Sequence, residues 1–229
     1  MKHTLKAILG ALGLALAFGL PLAAAEHPVK LEKDADCATC HEDKTTGKAV
    51  HSAIAMGCTT CHEIKTEGDT TTVNLVSPKQ ELCFTCHEKS QEKVLHGPYA
   101  QGLCTACHDP HTSDFPKQLK AKTQELCMGC HGQGRLKLDQ QAKTATTPWG
   151  TVLTFDEMKG AHFVTLDKME MTGHPMEGHP ISGRNSKLGK DGGEITCLTC
   201  HQPHHSQVSN LMPSDVSSDI DLCNKCHKE

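Results

Sequence analysis

Aromatic side chains are almost absent from this sequence: Phe, Trp and Tyr make up 3% of its 229 residues. A chain of this length normally buries one or two cores of aromatic and branched aliphatic side chains. Basic residues are also in deficit, with 23 Lys and Arg against 27 Asp and Glu, which excludes the basic surface that nucleic-acid binding needs. Something other than side chains must therefore fill the interior.

The one long apolar run lies at the amino terminus. Residues 1–25 consist of the basic start MKHTLK, the apolar run AILGALGLALAFGLPL and the small residues AAA. This order is typical of a secretory signal peptide, because a membrane span needs about 18–20 apolar residues. The alternative is an uncleaved anchor. We expect cleavage before Glu26, export to the periplasm and no transmembrane segment in the mature chain, with outer-membrane association or an extracellular location as alternatives.

Cysteine, in contrast, is abundant in this sequence. All 14 cysteines fall into seven Cys-x-x-Cys pairs, and a histidine follows each pair directly. Disulfides or zinc would be the usual reading of cysteine pairs, but neither needs a histidine after every second cysteine. Two thiols at this spacing can each bond to one porphyrin vinyl group while the next imidazole reaches the iron, which is c-type haem attachment. The sequence therefore predicts seven covalent haem c groups, which also supply the missing core.

Each predicted site contributes two attaching cysteines and one proximal histidine. The attaching cysteines are Cys37, Cys40, Cys58, Cys61, Cys83, Cys86, Cys104, Cys107, Cys127, Cys130, Cys197, Cys200, Cys223 and Cys226. The proximal iron ligands are His41, His62, His87, His108, His131, His201 and His227.

A second histidine on the opposite face of each iron is the simplest prediction for the distal ligand. Nine histidines lie outside the motifs and residues 1–25, which is enough for seven irons. Met/His ligation is the alternative. His111 and His204 lie three residues after a motif histidine, too close to reach the other face of the same haem, so we expect each to bind a neighbouring one. The distal candidates are His27, His51, His96, His111, His162, His174, His179 and His204.

The motifs are arranged in a repeat. After a single leading site, three doubled units span 58–87, 104–131 and 197–227, and their second motifs follow KQEL, TQEL and DIDL. We predict that these second motifs lie on short helices, the first of which starts with Ser77 as N-cap, and that the linkers are loops. Residues 132–196 carry no motif and form a predicted insert with a small β-hairpin at TVLTF.

The predicted fold class is mostly irregular, with short α-helices around a haem core. The predicted organisation is a signal peptide at 1–25, a five-haem part at 26–131, the insert at 132–196 and a two-haem part at 197–229.

These motifs resemble those of a known family. HGPYAQGLCTACHDPHTSDFPKQL followed by ELCMGCH, and ITCLTCHQPHHS, resemble the multihaem c-type cytochromes of metal- and sulfur-respiring bacteria, in particular those with doubled CxxCH motifs. The resemblance implies closely packed bis-His haems that conduct electrons. It also implies redox partners such as inner-membrane quinol-linked donors and periplasmic or outer-membrane cytochromes. The first copy departs from the pattern, because no histidine lies three residues after His62; His27 or His162 could fill that place.

The sequence is compatible with three functions. The first is electron transfer in anaerobic respiration, without substrate chemistry and without enzymatic activity. The second is an oxidoreductase of the nitrite or hydroxylamine type, which needs one haem with an open face. The third is a homo-oligomeric subunit of a haem-stacked filament, or part of an outer-membrane electron conduit.

Overall fold

Short elements joined by irregular chain make up the fold. The computed structural model describes residues 26–32, 35–132, 134–159, 179–185 and 193–227. Its α-helices are α1 (Lys79–Leu82), α2 (Gly97–Ala100), α3 (Thr123–His131) and α4 (Asp219–Asn224). Single 3₁₀ turns cover Cys37–Thr39, Glu42–Lys44, Ser52–Met56, Cys58–Thr60, Cys83–Thr85, Cys104–Ala106, Pro116–Gln118, Cys197–Thr199 and Ser209–Leu211. The predicted mostly irregular fold with short helices is confirmed.

The strands pair only in small antiparallel groups. They are β1 (Ala49–Val50), β2 (His62–Glu67), β3 (Thr70–Leu75), β4 (Val94–Leu95), β5 (Thr112–Ser113), β6 (Lys137–Asp139), β7 (Thr144–Thr146), β8 (Val152–Thr154), β9 (Gly183–Asn185), β10 (Gly193–Ile195) and β11 (His205–Ser206). Strand β1 pairs with β5, β4 with β11, β2 with β3, and β9 with β10, while β6, β7 and β8 form one sheet. No helix among the described residues is long and apolar enough to cross a membrane.

The predicted strand at TVLTF is confirmed as β8. It belongs to a three-stranded sheet rather than to a single hairpin, because β7 pairs with β6 on one side and with β8 on the other. Leu153 of β8 packs with Leu103 and Ala106 in a small buried cluster. Among the described residues only seven hydrophobic side chains are buried, so side chains alone form very little core.

The linker after the second motif is not a loop, as predicted, but the hairpin of β2 and β3. Six residue pairs run from His62 opposite Leu75 to Glu67 opposite Thr70. The connection is the two-residue turn Gly68–Asp69, with Gly68 at a φ of 61°. Glycine at the first position of a two-residue turn is a hairpin signal. Together with the alternating residues before it, this turn could have identified the hairpin.

The second motifs of the last two doubled units begin on α3 and α4 as predicted, but in the first unit α1 ends at Leu82 and the motif starts a 3₁₀ turn at Cys83. This first helix also begins later than expected. Helix α1 starts at Lys79 with Pro78 as its N-cap, because the backbone of Pro78 is extended, with a ψ of 138°. The Ser77 hydroxyl is buried without a hydrogen-bond partner, so Ser77 is not the cap. Helix α4, by contrast, has a serine N-cap: the Ser218 side chain accepts a hydrogen bond from the Asp221 backbone N–H.

Trp149, the one tryptophan, packs between the fourth and fifth motifs. Its indole Nε1–H donates to the Ala106 carbonyl at 3.0 Å. Its ring lies against Gly129, and a Cβ at that position would overlap Cζ3 and Cη2 of the ring. Gly129 therefore fills the position between Cys127 and Cys130 because no side chain fits there.

Gly129→Ala is expected to lower the free energy of unfolding of the haem-loaded protein by about 1–3 kcal/mol, the usual cost of overpacking. Chemical denaturation followed by far-ultraviolet circular dichroism measures the change. The matched control is Thr39→Ala at the same position of the first motif, where the side chain is exposed. Equal denaturation midpoints for Gly129→Ala and the native protein would refute the packing argument.

Candidate haem-attachment sites

Each motif folds as a tight turn that brings its three functional side chains together. The first cysteine starts a 3₁₀ turn in five motifs, and the other two lie on α3 and α4. In five motifs the histidine N–H donates to the carbonyl of the first cysteine, for example from His41 to Cys37 at 2.9 Å and from His227 to Cys223 at 2.8 Å. Both thiols and the imidazole thus share one turn, which is the local geometry that covalent attachment needs.

Within the part of the chain that the structure describes, six motif histidines each face a histidine from outside the motifs. The ring centroids are separated by 6.2 Å for His27 and His41, 6.0 Å for His51 and His87, 6.1 Å for His62 and His111, 6.1 Å for His96 and His131, 5.8 Å for His108 and His204, and 6.2 Å for His179 and His227. Nitrogens about 2.0 Å from one metal, on opposite sides of it, put their ring centroids about 6 Å apart. The spacing of these pairs therefore fits one iron between two imidazoles.

Burial keeps three of these outer imidazoles in the form that binds a metal, among them His204, whose pKa it lowers together with the nearby His108. It lowers the pKa of His96, and the nearby His131 adds to the effect. Burial also lowers the pKa of His111, although Asp109 opposes the shift. A depressed pKa favours the neutral imidazole at neutral pH, which is the ligating form.

Two short strand pairs carry the outer histidines to their places. Strand β1 ends beside His51, whose N–H donates to the His111 carbonyl at 2.8 Å as β1 pairs with β5. Strand β4 ends beside His96, whose N–H donates to the His204 carbonyl at 2.8 Å as β4 pairs with β11. Each strand pair therefore fixes two outer histidines that face motif histidines elsewhere in the chain.

The first cysteines of neighbouring motifs touch one another. The interaction of the Cys83 and Cys104 thiols lowers the pKa of Cys104 to about 7 and raises that of Cys83. In the same way the interaction of the Cys127 and Cys197 thiols lowers the pKa of Cys197 to about 7. A third contact joins Cys37 and Cys58. Attachment points of adjacent motifs thus lie side by side.

Two further histidines of the described residues have ring nitrogens close to an oxygen atom. His201, the motif histidine of the sixth site, has its Nδ1 2.8 Å from the Asn210 carbonyl. His205 has its Nδ1 2.7 Å from Oε2 of Glu92. His162 and His174, two of the predicted distal candidates, lie outside the described residues. His111 faces His62, and His27, one of the two histidines suggested for the ligand left unassigned after His62, faces His41.

The segment of residues 27–31, which carries His27, is bound to the β2–β3 hairpin by hydrogen bonds. The His27 N–H donates to the Thr71 carbonyl at 2.8 Å, and the Leu31 N–H donates to the Thr71 hydroxyl at 3.0 Å. The Thr71 hydroxyl also lies 2.9 Å from that of Thr66. Sequence reasoning did not single out Thr71, which is 1% exposed.

Thr71→Val is expected to loosen this segment, because the Leu31 N–H and the Thr66 hydroxyl lose a buried partner at a cost of about 1–3 kcal/mol. Hydrogen exchange of residues 27–31 should become faster while exchange in α3 is unchanged. Thr70→Val, on the exposed side of the same strand, serves as the control. Unchanged exchange at residues 27–31 would show that Thr71 does not hold the segment.

Comparison with known proteins agrees with this geometry. The chain matches the family described as "Doubled CXXCH motif" at residues 51–92, 96–136 and 190–229, which together exceed half of its length. The chain is a multihaem c-type cytochrome of the doubled CXXCH family. The three matched segments coincide with the three doubled units predicted from the motif spacing.

One curated relative extends this assignment of the doubled CXXCH cytochrome. "Multiheme cytochrome MtrA" of Shewanella baltica (strain OS185) is 25% identical over 155 residues, which cover 66% of this chain. The match spans 32% of that protein's own length. No solved structure matches the doubled CXXCH cytochrome.

Proposed function

We propose that this cytochrome binds seven haem c groups, each between two histidines, and relays electrons among them without acting on a substrate. The observation that carries the proposal is the set of six histidine pairs with centroid separations of 5.8 to 6.2 Å. Haem iron between two histidines supplies reversible one-electron exchange between its ferric and ferrous states. The protein's part is to hold these imidazoles in place.

The pairs assign the distal ligands residue by residue. We assign His27 to the first site, His111 to the second, His51 to the third, His204 to the fourth, His96 to the fifth and His179 to the seventh. Their partners are the motif histidines that they face. For the sixth site the sequence offers His162 and His174.

Occupation of both axial positions favours a carrier over an enzyme. A multihaem reductase needs a motif histidine whose opposite side is open to a small molecule. In this chain an imidazole stands opposite the motif histidine in all six pairs, for example His96 opposite His131. The side chains themselves would therefore exclude nitrite or hydroxylamine from these six sites.

The contacts between motifs support transfer from site to site. Cys37 touches Cys58, Cys83 touches Cys104, and Cys127 touches Cys197. Each contact joins the attachment points of two sites, and the third joins the predicted five-haem and two-haem parts. Groups held at these cysteines would lie close enough to exchange electrons directly.

The proposed setting is anaerobic respiration in the periplasm, after export by the signal peptide at residues 1–25. Quinol-linked donors of the inner membrane and periplasmic or outer-membrane cytochromes are the proposed partners. The relative in Shewanella baltica is named a multiheme cytochrome, which is consistent with partners of this class. A haem-stacked filament or an outer-membrane conduit remains the second candidate setting, since either would use the same sites.

The intact mass of the protein from a periplasmic extract tests the proposal. We expect a chain that begins at Glu26 and carries seven haem masses that persist under denaturing conditions. A mass with fewer haems, or one that retains residues 1–25, would contradict the corresponding part of the proposal.

A further inference from the structure

Two loops of the chain share one hydrogen-bonding arrangement that neither motif nor ligand assignment explains. They are HDPHTSDFPKQL at 108–119 and HQPHHSQVSNLM at 201–212, which are identical at only four positions. Each begins with a motif histidine and ends just after a 3₁₀ turn, Pro116–Gln118 or Ser209–Leu211. We call them the clasp loops.

In each clasp loop a backbone carbonyl binds the ring of the motif histidine. His108 Nδ1 lies 2.8 Å from the Lys117 carbonyl, and His201 Nδ1 lies 2.8 Å from the Asn210 carbonyl. A carbonyl can only accept, so Nδ1 must carry the proton. This fixes the tautomer in which Nε2 is free to bind a metal.

An unusual backbone conformation orients the Lys117 and Asn210 carbonyls toward the motif histidines. Lys117 and Gln118 have φ values of 60° and 54°, and Asn210 and Leu211 have φ values of 56° and 57°. Residues other than glycine seldom adopt positive φ, which costs about 1–2 kcal/mol per residue. Two consecutive cases at the same place in two loops indicate that the conformation serves the contact with the histidine.

A serine, half-buried in the first loop and fully buried in the second, closes each clasp loop and holds the strained residues. The Ser113 hydroxyl donates to the Leu119 carbonyl and accepts from the Phe115 N–H at 2.9 Å. The Ser206 hydroxyl donates to the Met212 carbonyl and accepts from the Val208 N–H at 3.0 Å. Ser206 is fully buried, at 0% exposure.

A backbone hydrogen bond also stabilises each clasp loop next to this contact. The N–H after each motif histidine donates to the carbonyl after the aimed one, from Asp109 to Gln118 at 2.7 Å and from Gln202 to Leu211 at 2.6 Å. The second site lacks this loop because the chain continues from His62 directly into strand β2. Among the described residues the clasp arrangement recurs at the fourth and sixth sites.

We propose that Lys117 and Asn210 are positioning residues, whose carbonyls hold His108 and His201 and lower the reduction potentials of the fourth and sixth haems. A hydrogen bond from Nδ1–H to a carbonyl increases the basicity of the ligand. A more basic ligand favours the ferric state and so lowers the potential. This inference rests on the proposed haem ligation by these two histidines.

Paired substitutions at one position separate the backbone effect from the side chain. Both side chains are exposed, so substitution changes the backbone preference without disturbing the interior. Asn210→Val disfavours positive φ, because its side chain is β-branched, whereas Asn210→Gly permits it. Lys117→Val and Lys117→Gly form the corresponding pair in the other loop.

Spectroelectrochemical redox titration of the haem-loaded protein measures the outcome. Each valine variant should shift one haem to a higher midpoint potential and change the low-spin g values of that haem, while each glycine variant should match the native protein. If a valine variant does not fold, Ser206→Ala or Ser113→Ala should give the same shift.

Two results would overturn the inference. One is a folded valine variant with native potentials, and the other is a glycine variant that shifts as far as the valine variant. Failure of the proposed ligation would be visible separately, as high-spin signals in the unsubstituted protein.

Discussion

Replacing His96 by alanine is expected to convert one haem from low spin to high spin. His96 faces His131 at a centroid separation of 6.1 Å, and alanine cannot reach the metal from that position. The covalent bonds at Cys127 and Cys130 do not involve His96, so the haem count should not change. Electron paramagnetic resonance of the oxidised variant should show one new high-spin haem per chain, and carbon monoxide should bind to it after reduction.

His205→Ala is the matched control, because His205 lies on the strand paired with the one that leads to His96. Its Nδ1 contacts Oε2 of Glu92 instead of facing a motif histidine. We expect this variant to remain fully low spin. An unchanged spectrum for His96→Ala, or a high-spin haem in His205→Ala, would show that the distal assignment at this strand pair is wrong.

Loss of the fourth attachment site should have the second largest effect. In Cys104→Ala/Cys107→Ala the chain cannot form its thioether bonds at a place where contacts from several sites meet. Cys104 touches Cys83, and the ring of His108 faces that of His204. We expect a haem count reduced by one, a low yield of folded protein and a lower thermal midpoint, all measured against the native cytochrome.

The same double substitution in the first motif, Cys37→Ala/Cys40→Ala, provides the comparison. That site is joined to the rest through the Cys37–Cys58 contact and the His27 segment. It should also lose one haem but keep the remaining sites low spin and the yield near native. Equal losses of stability in the two variants would contradict the larger structural role expected for the fourth site.

The attachment chemistry was predictable because it is local in sequence. Two cysteines and a histidine within five residues define each site, and no distant part of the chain is needed to recognise it. The doubled units were predictable for the same reason, since KQEL, TQEL and DIDL each directly precede a second motif.

The sequence identified a set of candidate distal histidines, but it could not show which of them faces which motif histidine. His62 and His111 are brought together across the chain, and the strand pair that holds His111, β1 with β5, is only two residues long. Such short pairs carry no periodic pattern that identifies them. The clasp loops were missed because positive φ at Lys117 and Leu211 contradicts the preference of those residues, so the local sequence argues against what tertiary hydrogen bonds impose.

The central claim is that every iron lies between two histidines. Quantitative electron paramagnetic resonance of the oxidised, unsubstituted protein tests it most directly, combined with a haem count on the same sample. We expect low-spin signals that integrate to seven haems per chain and no change on addition of cyanide or nitrite. A high-spin signal equivalent to one haem per chain that responds to either anion would contradict it and favour the enzyme.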